Sequence, residues 1–402
     1  MPRSDFPDTG LPQAAAAWSL DPAVTMLNHG SFGACPDVVL QRQYELRKQM
    51  EARPVQFLAR QMQDLLDASR QRLAQTLGAD PQDLVFVSNV TAGVNCVLRS
   101  LRFRPGDEIL ATVHGYNACN NVARFVAQQS GATLVVVDVP SPVESPEQIV
   151  DTVMARVSPR TRIALLDHVS SPSAVVFPIA PLVQRLHALG VETLIDGAHA
   201  PGMVAVDLQR IGPTYYTGNC HKWLCAPRGA GFLYVRCDRQ DEIFPAVISH
   251  GYNRPRPGYS RIQDLFDWPG TIDPTAWLCV GAAIDFLDSL LPGGLPALIE
   301  RNHRYAVAAQ SLLAEELGTR PLCPPEMLGS MAAVELGDDP DPPAEFVDQQ
   351  RLNQELFARF GIEVPVYFFP AVPRVVLRVS AQAYNEPGHY RRLVEAVKEL
   401  WR

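Results

Sequence analysis

Two hydrophobic periods alternate along the first two thirds of the chain. Short, nearly unbroken apolar runs fall at 84–88, 108–112, 133–139, 162–169, 192–198 and 231–236. Helical stretches lie between them, opening near Thr91, near Asn117, around 146–157 and at 181–189. Apolar strands that alternate with helices predict βα crossovers and a mostly parallel sheet covered on both faces, with right-handed connections. Ahead of this region, residues 1–36 are rich in Pro, Ala and Gly and read as an extended arm. A helix over roughly 37–77 follows, with Leu58, Met62, Leu65, Leu66, Leu73 and Leu77 at three-to-four spacing and Pro54 dividing it. After about residue 270 the texture changes. Residues 275–291 are apolar nearly all round, which predicts a buried helix. A helix over 295–317, a strand over 331–336, a helix over 345–360, a strand over 374–380 and a last helix ending at Trp401 complete a smaller α+β unit. The expected fold class is α/β, with a large domain over 20–290, a small domain over 291–402 and an arm over 1–19.

Composition narrows the function. The chain has 402 residues, 47% hydrophobic and 19% charged, as a folded globular protein does. It carries 35 Lys and Arg against 43 Asp and Glu, a net charge of −8, and no basic run, which argues against nucleic acid or an anionic membrane as partner. No apolar stretch has transmembrane length. The opening MPRSDFPDTGLPQ has no apolar core of a secretory signal, so a cytoplasmic location is expected. The eight cysteines form no CxxC pair, and reduced thiols with no metal site are expected. No GxGxxG follows a strand and no GxSxG occurs, which excludes a nicotinamide dehydrogenase and a serine hydrolase.

In an open α/β sheet, ligands sit beyond the carboxyl ends of the strands. Polar clusters follow the strands there: Thr91-Ala92-Gly93; His114, Tyr116 and Asn117; His168 with Ser170-Ser171; Asp196-Gly197-Ala198-His199; and Asn219-Cys220-His221-Lys222-Trp223 after YYTG. Each alone reads as a turn or a helix cap; five at one edge read as a site. Asp196 ends an apolar strand, where a carboxylate is costly unless a cation or strong donor meets it. Lys222 is either a surface lysine or an amine suited to Schiff-base chemistry. A lysine and a carboxylate in one pocket match the needs of pyridoxal phosphate: the lysine holds the aldehyde as an imine, and the acid keeps the ring nitrogen protonated. A helix opening with Thr91-Ala92-Gly93 supplies amides, a hydroxyl and a dipole for the phosphate.

The segments TLIDGAHAPG (193–202), YYTGNCHKWLCAPRGAGFLYVR (215–236), SNVTAGVN (88–95) and LRVSAQAYNE (377–386) together resemble the class V aminotransferase-like enzymes of pyridoxal-phosphate fold type I, in particular the isopenicillin N epimerase-like branch. The resemblance runs from LNHGSFGA (27–34) to AYNE (383–386). It implies a large domain with a mostly parallel mixed sheet and a smaller C-terminal domain. It implies that Lys222 carries the cofactor and that Asp196 pairs with the ring nitrogen. Thr91, the Ala92 amide and His221 would bind phosphate. Asn219 stands where related cysteine desulfurases have a phosphate-binding Ser. Tyr116 would stack on one ring face and Ala198 on the other. His199 and Ser171 would stand near the phenolic oxygen. Thr271 would reach the phosphate of a neighbouring subunit, which makes a homodimer the expected assembly. Arg378 would clamp the substrate carboxylate, the alternative for it being a strand arginine in a surface ion pair. Asn28 and His29 are expected on the substrate side.

The desulfurases carry a nucleophilic Cys on a C-terminal loop, and 361–376 has none. Cys220 and Cys225 read as small buried thiols beside Lys222. The cofactor implies a common first half: an α-amino acid joins it, and freed Lys222 takes the Cα proton. Epimerase-like chemistry is the expected outcome, with a β-eliminating C–S lyase or an aminotransferase as alternatives and a non-catalytic member of the fold as a further one. Tyr116 and His29 are candidates for a second base. The loop 251–259, with Tyr252, Arg254 and Arg256, lines an entrance or is an ordinary solvated loop.

Overall fold

A computed structural model describes residues 6–8, 10–342 and 351–401. The helix read over 37–77 is broken at Arg53, because the ring of Pro54 pushes the residue before it out of the helical region; Arg53 has φ −148°. The result is α1 (Asp37–Ala52) and α2 (Met62–Leu77), with a single wide turn over Phe57–Gln61 leading into α2.

Seven strands follow: β1 (Leu84–Val87), β2 (Glu108–Thr112), β3 (Thr133–Val137), β4 (Thr161–Asp167), β5 (Glu192–Gly197), β6 (Tyr215–Asn219) and β7 (Gly231–Val235). They form one sheet in the order β1-β7-β6-β5-β4-β2-β3. Only β7 runs against its neighbours, so the sheet is mostly parallel, as the apolar runs predict. The helices α3 (Val90–Ser100), α4 (Asn117–Ser130), α5 (Pro146–Met154) and α6 (Ile179–Ala188) connect the first five strands. The middle of β4, Ile163–Leu166, is apolar on every residue because alternate side chains enter two different cores. On β4, Ile163 and Leu165 pack in the cluster that holds Val94 of α3 and Val122 of α4, while Ala164 and Leu166 pack in the one that holds Leu182 and Leu186 of α6.

The sequence reading treats YYTG only as a lead-in to the lysine. In the structure it is part of β6, a fully buried strand between β5 and β7. Its polar and small residues have packing reasons. Thr217 donates its hydroxyl to the Phe232 carbonyl at 2.8 Å, and a Cβ on Gly218 would meet the Phe232 ring at 2.4 Å.

Beyond the sheet, the helix expected over 275–291 is split at Cys279 into Thr275–Leu278 and α7 (Val280–Ser289). After it, α8 (Gly294–Leu317) packs on a four-stranded antiparallel sheet. That sheet holds β8 (Met331–Asp338), β9 (Val366–Phe368) and β10 (Arg374–Ser380), ordered β9-β10-β8 with the short strand Arg320–Pro321 at its edge. The helix expected over 345–360 is described as α9 (Arg351–Phe360); its earlier part lies outside the described residues. The last helix is α10 (Pro387–Leu400). Among the described residues, no single helix is long and apolar enough to cross a membrane.

The leading segment is tied to the other end of the chain. Thr25–Met26 pairs in parallel with Ile362–Glu363, and Ser380 donates its N–H to the Leu27 carbonyl at 2.9 Å. This sets the turn His29–Phe32 against β10 and against the loop after β6. The approach is close. Gly33 has φ +68°, and a Cβ there would lie 2.1 Å from the His221 carbonyl oxygen.

Candidate active site

The parallel register brings two acids together. Asp167 ends β4 and Asp196 stands near the end of β5, and the two are direct partners across the strands. Both are buried. Asp196 accepts the Ala198 N–H at 2.9 Å on one oxygen and the Cys119 thiol at 3.1 Å on the other. Asp167 accepts the Tyr116 N–H at 3.3 Å. Burial raises both carboxyls above the ordinary range, and the charge of Asp196 further opposes ionisation of Asp167. Asp196 has two donors and the nearby Lys222 to hold its charge, whereas Asp167 has only backbone amides. The proton of the pair therefore resides on Asp167, which lies well above the usual carboxylate range.

Lys222 sits in the turn between β6 and β7. Cys220 and His221 donate their amides to the Ala230 carbonyl, and Cys225, at φ +57°, folds its N–H back to the Lys222 carbonyl at 3.0 Å. The partly buried Lys222 Nζ lies 3.1 Å from His199 Nε2. The other ring nitrogen of His199, Nδ1, accepts the Trp223 indole N–H at 3.3 Å. Loss of water in the pocket, then the charge of Arg378, lowers the Lys222 amine to about 7 against the pull of Asp196 and Cys119. Burial, with the charges of Lys222 and Arg378, drives His199 well below its ordinary value.

Arg378 comes from β10 and is completely buried. Its Nη1 donates to the Ser171 carbonyl at 2.5 Å and to the Ser171 hydroxyl at 3.2 Å. Its Nη2 donates to Asn28 Oδ1 at 3.3 Å and to Ser31 Oγ at 3.2 Å. All four acceptors are neutral, and among the described residues the buried Nε has no hydrogen-bond partner. Asn28 is fixed from behind, since its amide nitrogen donates to Glu363 at 3.2 Å. Arg378 is thus a desolvated cation without a carboxylate of its own, the arrangement that recognises a bound anion.

His29, expected on the substrate side and as a candidate second base, has both nitrogens engaged. The Lys222 carbonyl can only accept, so His29 Nε2 donates to it at 3.0 Å; Nδ1 then accepts the Tyr384 hydroxyl at 2.8 Å. Burial lowers this ring to about 4, so it is neutral and clamps the lysine backbone. Asn219 Oδ1 accepts the Val90 N–H at 3.0 Å, and Asn89 Oδ1 accepts the Ala92 N–H at 2.9 Å. Both expected phosphate contacts are therefore caps of α3 in this arrangement. Thr91 stands half-buried in the first turn of α3. His221 Nδ1 donates to the Ala230 carbonyl at 2.8 Å, so its ring donates to a phosphate only when protonated. Tyr116 is 47% exposed at the start of α4, beside Asp167. Ala198 is half-buried next to Asp196, and Thr271 is exposed. Arg256 belongs to an ionic network with Asp264, Asp267 and Gln63, and its guanidinium lies over Tyr259.

Several neighbours are passed over by the sequence reading: Asp167, Cys119, Ser31, Tyr384 and the role of Trp223. Only Asp167 has a signal in the sequence, since it ends an apolar run as Asp196 does. Burial favours the protonated form of three of the thiols. Cys220 and Cys225 are buried and pushed well up, and Cys323, the last in the chain, is buried and raised to about 12.

The aminotransferase class-V family model matches residues 29–338. The isopenicillin N epimerase of Streptomyces clavuligerus is 36% identical, over 96% of this chain and 98% of its own. A probable chloroplastic L-cysteine desulfhydrase of Arabidopsis thaliana is 32% identical, over 95% of this chain and 84% of its own. The solved cysteine desulfurase CsdA of Escherichia coli superposes with a TM-score of 0.79 at 24% identity, over 97% of this chain and 99% of that one. The residues present fit pyridoxal phosphate: a partly buried lysine lowered to about 7, a buried carboxylate close enough to act on its charge, and the N-terminus of α3, which Asn219 of the lysine's own segment caps. The chain belongs to the class-V aminotransferase family, whose cofactor is pyridoxal phosphate.

Proposed function

We propose that the protein removes and returns the Cα proton of an α-amino acid, as an epimerase does. One observation carries the reading: Lys222 and Arg378 stand close enough for the guanidinium charge to depress the amine, and Arg378 has only neutral hydrogen-bond partners. A ligand bearing a carboxylate and an amino group satisfies both. Pyridoxal phosphate, when bound, supplies an aldehyde that joins amines and a ring that takes up the electron pair left at Cα.

The chain's own residues do the rest. Arg378 binds the carboxylate and fixes the direction of the Cα–H bond. Lys222 Nζ, as the free base, takes the Cα proton. Asp196 holds a negative charge toward the ring nitrogen, and Cys119 and the Ala198 amide hold Asp196 in place. A proton delivered to the opposite face by a second group, for which the half-exposed Tyr116 hydroxyl is the candidate, inverts the centre with no other bond broken. The similarity to isopenicillin N epimerases over almost the whole chain supports this outcome. A second reading is β-elimination from a cysteine-derived substrate, which the likeness to L-cysteine desulfhydrases supports. In it the same proton is taken, and sulfur leaves from Cβ. We also place a homodimer in this reading, with Thr271 reaching the partner's phosphate site.

Incubation with L-amino acids and thioether amino acids in D2O tests the assignment. Deuterium at Cα with loss of optical rotation is the expected result. Release of ammonia and pyruvate without racemisation overturns it in favour of the lyase. No exchange at all, with no visible absorption, overturns both.

A further inference from the structure

Trp223 stands directly after the lysine and is buried, and the reaction as written gives it no role. Its indole N–H can only donate. That N–H faces His199 Nδ1 at 3.3 Å, so Nδ1 must offer a lone pair. His199 is buried, and burial first, with the charge of Arg378 besides, holds it well below its ordinary value, so the ring is neutral. A neutral imidazole whose Nδ1 accepts carries its proton on Nε2. The Nε2–H then points at Lys222 Nζ, 3.1 Å away. An ammonium has no lone pair to receive it, whereas a free amine does.

We propose that Trp223 is a positioning residue: its indole N–H fixes His199 as the Nε2–H tautomer, and His199 in turn holds Lys222 Nζ as the unprotonated amine. The inference rests on the reading of Lys222 as the cofactor-bearing residue. The other ionisable groups around Lys222 are Arg378, Asp196, Cys119, His29 and His221. None of them touches Trp223's partner nitrogen, so a change at Trp223 reaches the lysine through His199. Without the indole donor, His199 is free to move its proton to Nδ1. Its Nε2 lone pair then favours the protonated form of whatever nitrogen it faces.

The test compares the holoenzyme with Trp223→Phe, His199→Gln and the double variant. Phe keeps an aromatic side chain without an N–H, and Gln donates without a tautomer. The readout is the pH midpoint of the cofactor's visible band, at about 420 nm. Trp223→Phe is expected to move that midpoint up by about half a pH unit or more, and to have no such effect in the His199→Gln background. No shift, or an equal shift in both backgrounds, overturns the proposal, because packing alone would act in both. Histidine-labelled 15N spectra of the wild-type enzyme decide the tautomer even if a variant fails to fold; a protonated Nδ1 on His199 overturns it. If the wild type has no visible band, the reading of Lys222 has failed, and the 15N spectra still judge the tautomer.

Discussion

Asp167 and Asp196 face each other in register at the carboxyl ends of adjacent parallel strands, and both are buried. One proton serves the pair, and the donors around Asp196 leave it on Asp167. The two acids are therefore not equivalent. In the proposed reaction Asp196→Asn removes the charge that would meet the cofactor's ring nitrogen, and it is expected to slow Cα deuterium exchange by about 10²- to 10³-fold. Asp167→Asn replaces a neutral acid by a neutral amide and should leave the exchange rate near that of the wild type. Equal losses in the two variants would show that both carboxylates are charged.

The same pair gives the protein a pH-dependent stability. In the unfolded chain an aspartate titrates near ~3.9, while folded Asp167 lies well above it. Between those values the folded state holds more protons than the unfolded state. Stability contributed by this group therefore falls as pH rises from about 4 through the folded value. Thermal melts of the wild type and Asp167→Asn across that range should show the variant gaining on the wild type as pH rises. A constant difference in Tm would contradict the assignment of the proton.

In the proposed reaction Lys222 acts as a base only when its amine is free. With the amine lowered to about 7, exchange at Cα should rise with pH through the neutral region and then level off. Lys222→Ala should cost about 10²- to 10⁴-fold and abolish the acid limb of the profile. An acid limb that survives the substitution assigns the titration to another group.

Much of this is legible in the amino-acid sequence, and the reason is physical. Strands buried on both faces need unbroken apolar runs, so β1 to β5 stand out, and a charged residue that ends such a run, as Asp196 does, needs a partner. Lys222 stands out because of its neighbours at one sheet edge. β6 does not, because Thr217 and Gly218 are dictated by the ring of Phe232 and a backbone carbonyl that no local pattern reveals. The surroundings of Arg378 are hidden too. Asn28 and Ser31 reach it from about 350 residues away along the chain, and periodicity carries no information at that distance.

Asn28 shows what that distant contact does. It carries Glu363 on one end and Arg378 on the other, so the glutamate orients the amide without neutralising the guanidinium. Asn28→Asp would put a carboxylate against Arg378. KM for an amino-acid substrate should rise by about tenfold or more while kcat changes little, since one charge-assisted contact is worth roughly 1.5–3 kcal/mol. An unchanged KM would mean that Arg378 does not meet the substrate carboxylate.

Gly33 tests the packing of the leading turn. Its positive φ and the 2.1 Å approach to the His221 carbonyl leave no room for a methyl group. Gly33→Ala should cost about 3 kcal/mol or more, read as a drop in Tm, and should also weaken the visible absorption. A variant as stable as the wild type would show that the turn is free to move away.

The segment Asn28–Phe32 is a strap buckled at both ends: His29 grips the backbone of Lys222, and Asn28 and Ser31 grip the guanidinium on β10. A protease nick ahead of α1 would spare the seven-stranded sheet yet loosen the anion clamp. Circular permutants that open the chain between the strap and α1 should accordingly fold, turn yellow and bind amino acids poorly.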